Sequence, residues 1–518
     1  MRWSPESGRA LVLPGTFFKD LLASVVVFLT ALPLCMGISI ASGAPVEAGL
    51  VTGIIGGIIV GVLSGSSFQV SGPAAGLSVL VLEIVQAHGM SGLAVVLIVA
   101  GMLQLVGGIA RLGQVFRAVS PAVVNGMLSG IGCLIFLSQI YVMCDMAPKG
   151  SGLKNLAALP SSIVAAFTPG SPNWEAALLG AVAVAILISW NRVVPKSLRM
   201  IPGALVAVLF VAGLAAVQHA HVKYVHVPSN IFASLHPPNV LMFSKMGFLT
   251  VMEGALAMAL VASAETLLSA NAVDRLHNGR RTKYDRELAA QGLGNLLCGL
   301  VGALPMTGVI ARSSVNVHAG ARTRASAIMH GLWLLIFVAC MPRLLQFVPI
   351  SALAALLLVT SVKLVDVPAI KKLWSYGWRL VTIYGATVLC IVCTDLLTGV
   401  MVGVVLSLGK LLYTMSRLGI RKISCEKSRR ITLQLQGAAT FVSLPKLANT
   451  LENLPADCEL HICLDNLDYV DHACLELLLD WEKQHETAGG SLVIDWGELN
   501  AVFKFKGKRR VIEIGQVA

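Results

Sequence analysis

Two ionisable side chains stand in apolar surroundings near the middle of the chain. Glu265 closes the long apolar run that begins at Val251, and Arg312 lies early in the short run Val309-Ile310-Ala311-Arg312-Ser313-Ser314, just after Pro305 and Gly308. A charge at membrane depth is costly and is retained mainly where it faces a solute pathway. A helix broken there by Gly and Pro exposes backbone N–H groups at its new start, which is a ready anion site. An acid and a base so placed suit a protein that carries an anion and, with it, a cation.

The elements that must hold these groups are membrane spans. Of 518 residues, 56% are hydrophobic and 13% charged, against about a quarter charged in a soluble domain. Charge is scarce from Leu21 to Met415 and dense afterwards. The expected organisation is an N-terminus at 1–19, a membrane domain at 20–415, a basic linker at 416–430 and a small soluble domain at 431–518. The first nineteen residues are polar and the next run is a full span, so no cleavable signal peptide is expected. Spans are expected near 20–43, 46–65, 72–88, 92–110, 115–143, 174–191 and 200–218. The second set falls near 247–274, 287–304, 309–319, 324–342, 344–363, 380–394 and 396–415. Two of these, the third and the tenth, are short of the roughly 20 residues a crossing helix needs.

The short segments follow Gly72-Pro73 in one half and Thr307-Gly308 in the other, each after a glycine-rich helix. Seven spans per unit is an odd number, so the two repeats are inverted, and interrupted segments at matching places point to the binding site. The net charge of +12 reads as topology, not nucleic-acid binding. Arg111, Arg117, Arg192, Lys196, Arg199, the basic residues of Arg275–Arg286, Arg322, Arg324, Lys363, Lys371, Lys372 and Arg379 fall on one side of fourteen spans. Lys149, Lys154, Lys223, Lys245 and Arg343 fall on the other. The positive-inside rule then places both termini in the cytoplasm.

Eleven cysteines show no zinc or disulfide spacing, and the Cys390/Cys393 pair reads as small packing residues in an apolar helix. Glu253 and Glu83 sit toward span ends and read as interfacial; His88, His219, His221, His226 and His236 read as loop histidines. After Met415, alternation at Ile431–Gly437, a helix at Ser443–Leu454, strands at His461–Asp465 and Ser491–Asp495 and an amphipathic helix at Cys474–Thr487 indicate a small α/β domain. Without a phosphate loop, a nucleophile–base pair or a metal set, an enzyme is not expected, nor a resident cofactor.

The run Phe68-Gln69-Val70-Ser71-Gly72-Pro73-Ala74-Ala75-Gly76, the run Ala262-Ser263-Ala264-Glu265-Thr266-Leu267-Leu268-Ser269, Gln291-Gly292-Leu293-Gly294-Asn295 and Pro305–Asn316 resemble the SulP family of sulfate permeases and related anion transporters. The resemblance implies a polytopic α-helical membrane protein of 7+7 inverted repeats, with half-helices in spans 3 and 10 and a cytoplasmic α/β STAS domain. Within the family the chain is most similar to bacterial members associated with carbonic anhydrase, which makes bicarbonate the leading substrate. It also implies a homodimer in the bacterial inner membrane and a functional link to carbonic anhydrase.

In the family the anion lies between the two half-helix starts, here Ser71, Gly72, Pro73, Ala74 and Ala75 facing Val309, Ile310, Ala311, Arg312 and Ser313. Each dipole end adds only about 0.3–1 kcal/mol, so neither alone accounts for binding. Pro73 suits a helix start, where its missing N–H would be an orphan anyway. Arg312 would neutralise the anion or pair with Glu265. Glu265 and Ser269, four apart on one helix face, match an aspartate and a threonine that hold Na⁺ in related sodium–bicarbonate transporters. Three roles stay open for Glu265: a Na⁺ ligand, a proton carrier, or an ion-pair partner of Arg312. Sulfate or C4-dicarboxylate transport with H⁺ and a nucleobase permease of the same architecture are the alternatives. In the STAS segment, Ala473 stands where stand-alone members carry a phosphorylatable serine, so no such switch is expected there.

Overall fold

The computed structural model describes residues 16–114, 120–149, 151–195, 201–226, 238, 243, 245–415, 418–424, 430–455, 458–487 and 491–494. The chain divides into two compact units, Met1–Val404 and Val405–Ala518, with the boundary inside the last membrane helix, which is counted with the membrane unit.

The first half of the membrane unit is α1 (Phe17–Ala41), α2 (Val46–Ile55, continued by a π-helical turn Gly56–Val60 to Leu63), β1 (Ser71–Pro73), α3 (Ser78–Ile109), α4 (Pro121–Met143), α5 (Gly152–Phe167), α6 (Trp174–Val193) and α7 (Gly203–Val217). The second half is α8 (Phe248–Val273), α9 (Tyr284–Val301), β2 (Met306–Gly308), α10 (Ile310–His318), α11 (Ala325–Cys340), α12 (Ile350–Leu364), α13 (Val367–Ser375), α14 (Trp378–Cys393) and α15 (Leu396–Met415). Among the described residues seven helices are long and apolar enough to cross a membrane. Trp174–Trp190, Gly203–Val217, Ala325–Cys340 and Trp378–Cys393 are shorter apolar helices. Large apolar side chains such as Leu209, Phe210, Val217 and Leu249 are exposed, as lipid contact allows.

Inside α3, Gly89 has φ 70 and ψ −177, a conformation only glycine adopts readily. It separates a short first limb from a full second limb, the break expected between 88 and 92. Two helices lie outside the expected spans: α5 and α13.

The entry into the third span differs from expectation. Ser71–Pro73 is extended and pairs antiparallel with Met306–Gly308, with Ser71 opposite Gly308, Gly72 opposite Thr307 and Pro73 opposite Met306. Pro73 therefore ends a strand; it is not the first residue of a helix. A 3₁₀ turn at Ala75–Leu77 follows before α3 begins. The reason is hydrogen bonding: extended backbone inside an apolar interior must pair, and an inverted repeat supplies its own counterpart in antiparallel sense.

The helices leading to this crossing pack through glycine. A Cβ on Gly101 of α3 would lie 2.4 Å from Leu296 N, and one on Gly292 of α9 would lie 2.3 Å from Leu105 N. Small residues are what let membrane helices approach to backbone contact. At the start of α1, buried Asp20 accepts hydrogen bonds from Arg322 N (2.7 Å), Thr323 N (3.0 Å) and Thr323 Oγ1 (2.8 Å), tying the first helix to the loop before α11.

The second unit contains β3 (Leu418–Ser424), β4 (Arg430–Ala439), α16 (Leu444–Glu452), β5 (Glu459–Val470), α17 (His472–Thr487) and β6 (Ser491–Ile494). Its sheet has the order β3-β4-β5-β6; β3 is antiparallel to β4, and the other pairs are parallel. Leu433, Leu447, Leu460 and Cys474 are buried between sheet and helices. The segment expected as a linker thus contributes an edge strand: Leu418, Ile420 and the backbone of Arg421 and Lys422 complete the sheet. The strand expected at 461–465 runs on to Val470, where Asp471 Oδ1 accepts from Cys474 N (2.9 Å) and starts α17. Ala473 lies in that first turn. These strands and helices are consistent with a STAS domain.

Candidate functional site at the crossing of the half-helices

The site is built where β1 and β2 meet. Buried polar side chains hold it. Asn295 Nδ2 donates to Gln104 Oε1 (2.7 Å) and to Met306 O (3.2 Å), while Met306 N donates to Asn295 Oδ1 (2.8 Å). Gln291 Nε2 donates to Ser71 Oγ (2.6 Å) and Glu287 Oε1 (3.1 Å). Glu287 in turn accepts from Ser64 Oγ and from Ser66 N (3.0 Å). Thr266, beside Glu265, accepts from Gly308 N through Oγ1 (3.1 Å) and from Gln69 Nε2 through its carbonyl (3.0 Å). Leaving such groups unpaired in the interior costs about 1–3 kcal/mol each, so the network fixes one arrangement of the crossing.

Arg312, on the first turn of α10, is fully buried. Its Nε, Nη1 and Nη2 have no hydrogen-bond partner among the described residues. Gly72 lies against it across the crossing: a Cβ there would lie 2.2 Å from Nη1. The thiol of Cys35 stands beside the guanidinium and is at best a weak acceptor. His330 of α11 lies within its electrostatic reach; His330 Nδ1 is bonded to Ala327 O (2.7 Å), and Nε2 has no partner among the described residues.

Glu265 lies on the other flank. Its Oε2 would meet a Cβ on Gly76 at 2.7 Å, which places the carboxylate against the 3₁₀ turn that follows β1. Thr307 stands beside it, and neither Oε2 nor Thr307 Oγ1 completes a hydrogen bond among the described residues. No ion pair joins Glu265 to Arg312 among the described residues. Of the three roles open to Glu265, the ion-pair role therefore loses its support. Ser269 is buried one turn further along α8.

The remaining sequence candidates divide. Ile310, Ala311 and Arg312 present amides that take no backbone acceptor among the described residues, as the first turn of a helix must. Val309 N is spent on Val70 O (3.0 Å). Ser313 is spent as well: its amide donates to Val309 O, and its hydroxyl donates to Val309 O (2.7 Å) and accepts from Val70 N (2.9 Å). Ser313 thereby ties α10 to the segment that precedes Ser71. Ser71 is engaged through Gln291, Gly72 faces Arg312, Pro73 pairs with Met306, and Ala74 leads into the 3₁₀ turn at Ala75 that lies against Glu265. Cys35, Gln69, Thr307 and His330 were not singled out from sequence. The spacing Glu287, Gln291, Asn295 was a readable signal, since polar residues four apart fall on one face of α9.

The permease model described as "Sulfate permease family" matches residues 17–387. The chain belongs to the sulfate permease family. Among its relatives in the family, YvdB of Bacillus subtilis (strain 168), provisionally named a sulfate transporter, is 30% identical over 403 residues, covering 76% of this chain and 73% of the relative. The bicarbonate transporter BicA of Picosynechococcus sp. is 26% identical over 426 residues, 79% of this chain and 72% of the relative. Among solved structures, murine Slc26a9 in the inward-facing state superposes with a TM-score of 0.79 at 15% identity, over 93% of this chain and 86% of that one. That likeness concerns the fold. Family membership makes the chain an anion transporter of a multi-pass membrane type and not an enzyme, and it leaves the nucleobase reading without support.

Proposed function

We propose that this permease moves a small inorganic anion by secondary active transport, with bicarbonate as the leading substrate and Na⁺ carried alongside it. The observation that carries the reading is that Arg312 is buried, that Glu265 keeps a buried carboxylate oxygen, and that the two are not spent on each other. The guanidinium and the free amides of Ile310 and Ala311 suit an anion seated against Gly72. The carboxylate, with the Thr307 and Ser269 hydroxyls nearby, offers the oxygen atoms that a hard cation takes. A proton on Glu265 is the second reading of the coupling, since the same carboxylate could carry either. Sulfate is the rival anion, because relatives in the family bear that name. A homodimer in a bacterial inner membrane with both termini cytoplasmic, an elevator-like motion and a functional link to carbonic anhydrase complete the proposal.

The test is radiolabelled bicarbonate uptake into proteoliposomes with and without an inward Na⁺ gradient, beside sulfate and fumarate. The Glu265→Gln and Arg312→Ala variants run in parallel. Na⁺-driven bicarbonate uptake that disappears in Glu265→Gln supports the reading. Sulfate or fumarate uptake without bicarbonate uptake discards the substrate and keeps the mechanism. Uptake driven by a proton gradient alone discards Na⁺.

A further inference from the structure

A partly open cavity rimmed by charged side chains lies away from the crossing, where the C-terminal ends of α3 and α8 meet the N-terminal end of α9. It offers about 770 Å³ and its lining includes Arg111, Arg281, Lys283 and Arg286, with Asp274 and Asp285. The walls are held by side chains already committed. Asp274 takes Thr282 N (3.1 Å) and Thr282 Oγ1 (2.8 Å). Arg281 Nη1 donates to Asp274 O (2.6 Å), and Arg286 Nε donates to Leu63 O (2.8 Å). The positive end of the α9 dipole adds to the cationic balance. Arg111 and Lys283 are exposed.

The apolar surroundings select among anions. Met102, Val106 and Ile109 form one stripe on α3 and are 50%, 63% and 59% exposed. Ile109 also lines the cavity, so an apolar track leads from the helix flank directly into a cationic pocket. A free inorganic anion has no use for that track. A molecule with a phosphate at one end and acyl chains at the other fills both.

We propose that this cavity binds the headgroup of an anionic phospholipid, with its chains lying along Met102, Val106 and Ile109. The positive-inside asymmetry assigns this end of the helices to the cytoplasmic leaflet.

The test uses the full-length protein in detergent and native mass spectrometry after addition of equimolar phosphatidylglycerol and phosphatidylcholine. The wild-type protein is expected to retain phosphatidylglycerol selectively. Arg111→Asn combined with Lys283→Gln is expected to lower that retention roughly thirtyfold, about fivefold for each basic residue removed beside an anionic lipid. Asparagine is chosen because Arg111 has φ 62, a backbone that asparagine tolerates. Arg275→Gln combined with Arg280→Gln, exposed charges outside the lining, is expected to change nothing. If the first double variant aggregates, Lys283→Gln alone carries the same expectation at smaller size. Equal retention of the two lipids overturns the proposal, as does an equal loss in the control variant. Displacement of the lipid by millimolar inorganic phosphate would reassign the cavity to a soluble anion.

Discussion

Gly72 and Arg312 touch across the antiparallel crossing: any side-chain carbon on Gly72 would lie 2.2 Å from Arg312 Nη1. The guanidinium of one repeat is thus seated on the bare backbone of the other. Glycine is needed here for space.

Gly72→Ala is accordingly expected to push the guanidinium off its seat while leaving the fold intact. A misplacement of about 1 Å in a binding group costs about a hundredfold in rate. Proteoliposome uptake should fall by about that factor while the elution volume and melting temperature in detergent stay close to wild type. Unchanged uptake would show that Arg312 is not part of the transport site.

The glycine seam between α3 and α9 predicts a different outcome. Gly101→Ala forces a Cβ against Leu296 N, and overpacking of this kind costs about 1–3 kcal/mol. Its melting temperature should drop clearly. Gly213→Ala in α7 meets nothing within 4 Å and should be neutral or slightly stabilising, by up to about 1 kcal/mol from helix propensity.

Asn295→Leu removes the side-chain partner of Met306 N, Met306 O and Gln104 Oε1. Buried polar groups left unpaired cost about 1–3 kcal/mol each. Because Met306 belongs to β2, uptake should fall further than stability alone explains. The comparison to make is uptake per folded molecule, counted by size exclusion.

Arg430 and Glu459 sit opposite each other at the start of β4 and β5, bonded at 2.9 Å. The guanidinium of Arg430, with His461 Nε2 adding a second contact, holds the Glu459 carboxyl down at about 2. A depressed carboxyl stabilises the folded state above its unfolded value, about 4.3, and loses that contribution as pH falls through its folded value. Glu459→Gln should therefore lower the melting temperature slightly at pH 7 and make progressively less difference as pH falls toward 2. The pair is exposed, so the effect is small and shrinks in high salt.

Much of the architecture was legible because apolar length and Gly/Pro breaks are local signals. The helices α1, α2, α8 and α15 fall close to their expected limits, and Gly89 marks the division between the third and fourth spans. The β1–β2 ladder was not legible, since three residues on each side carry no periodicity and the pairing is decided by the inversion of the repeats. Helix α5 escaped notice because Pro160 lies inside it. Strand β3 was read as a basic linker: Arg421 and Lys422 dominate its composition, while Leu418 and Ile420 carry its inward face. At the site, Arg312 and Glu265 stood out as charges in apolar sequence. Cys35 and His330 did not, because their relation to Arg312 exists only once α1, α10 and α11 have packed. Ser313 stood out by its place in the motif, whereas its bonds to Val70 and Val309 could be seen only in the packed structure.

The short ladder between Ser71–Pro73 and Met306–Gly308 has a mechanical consequence. Val309 N to Val70 O, Ser313 Oγ to Val70 N and Asn316 Nδ2 to Phe68 O (3.0 Å) rivet the same two segments together. Halves joined in this way cannot part without breaking several buried hydrogen bonds at once. In the transport proposed above, the two half-helix starts would therefore move together as one piece. A solute held between them would meet the same groups from either side of the membrane, so the two faces would differ in access and voltage, and not in intrinsic grip.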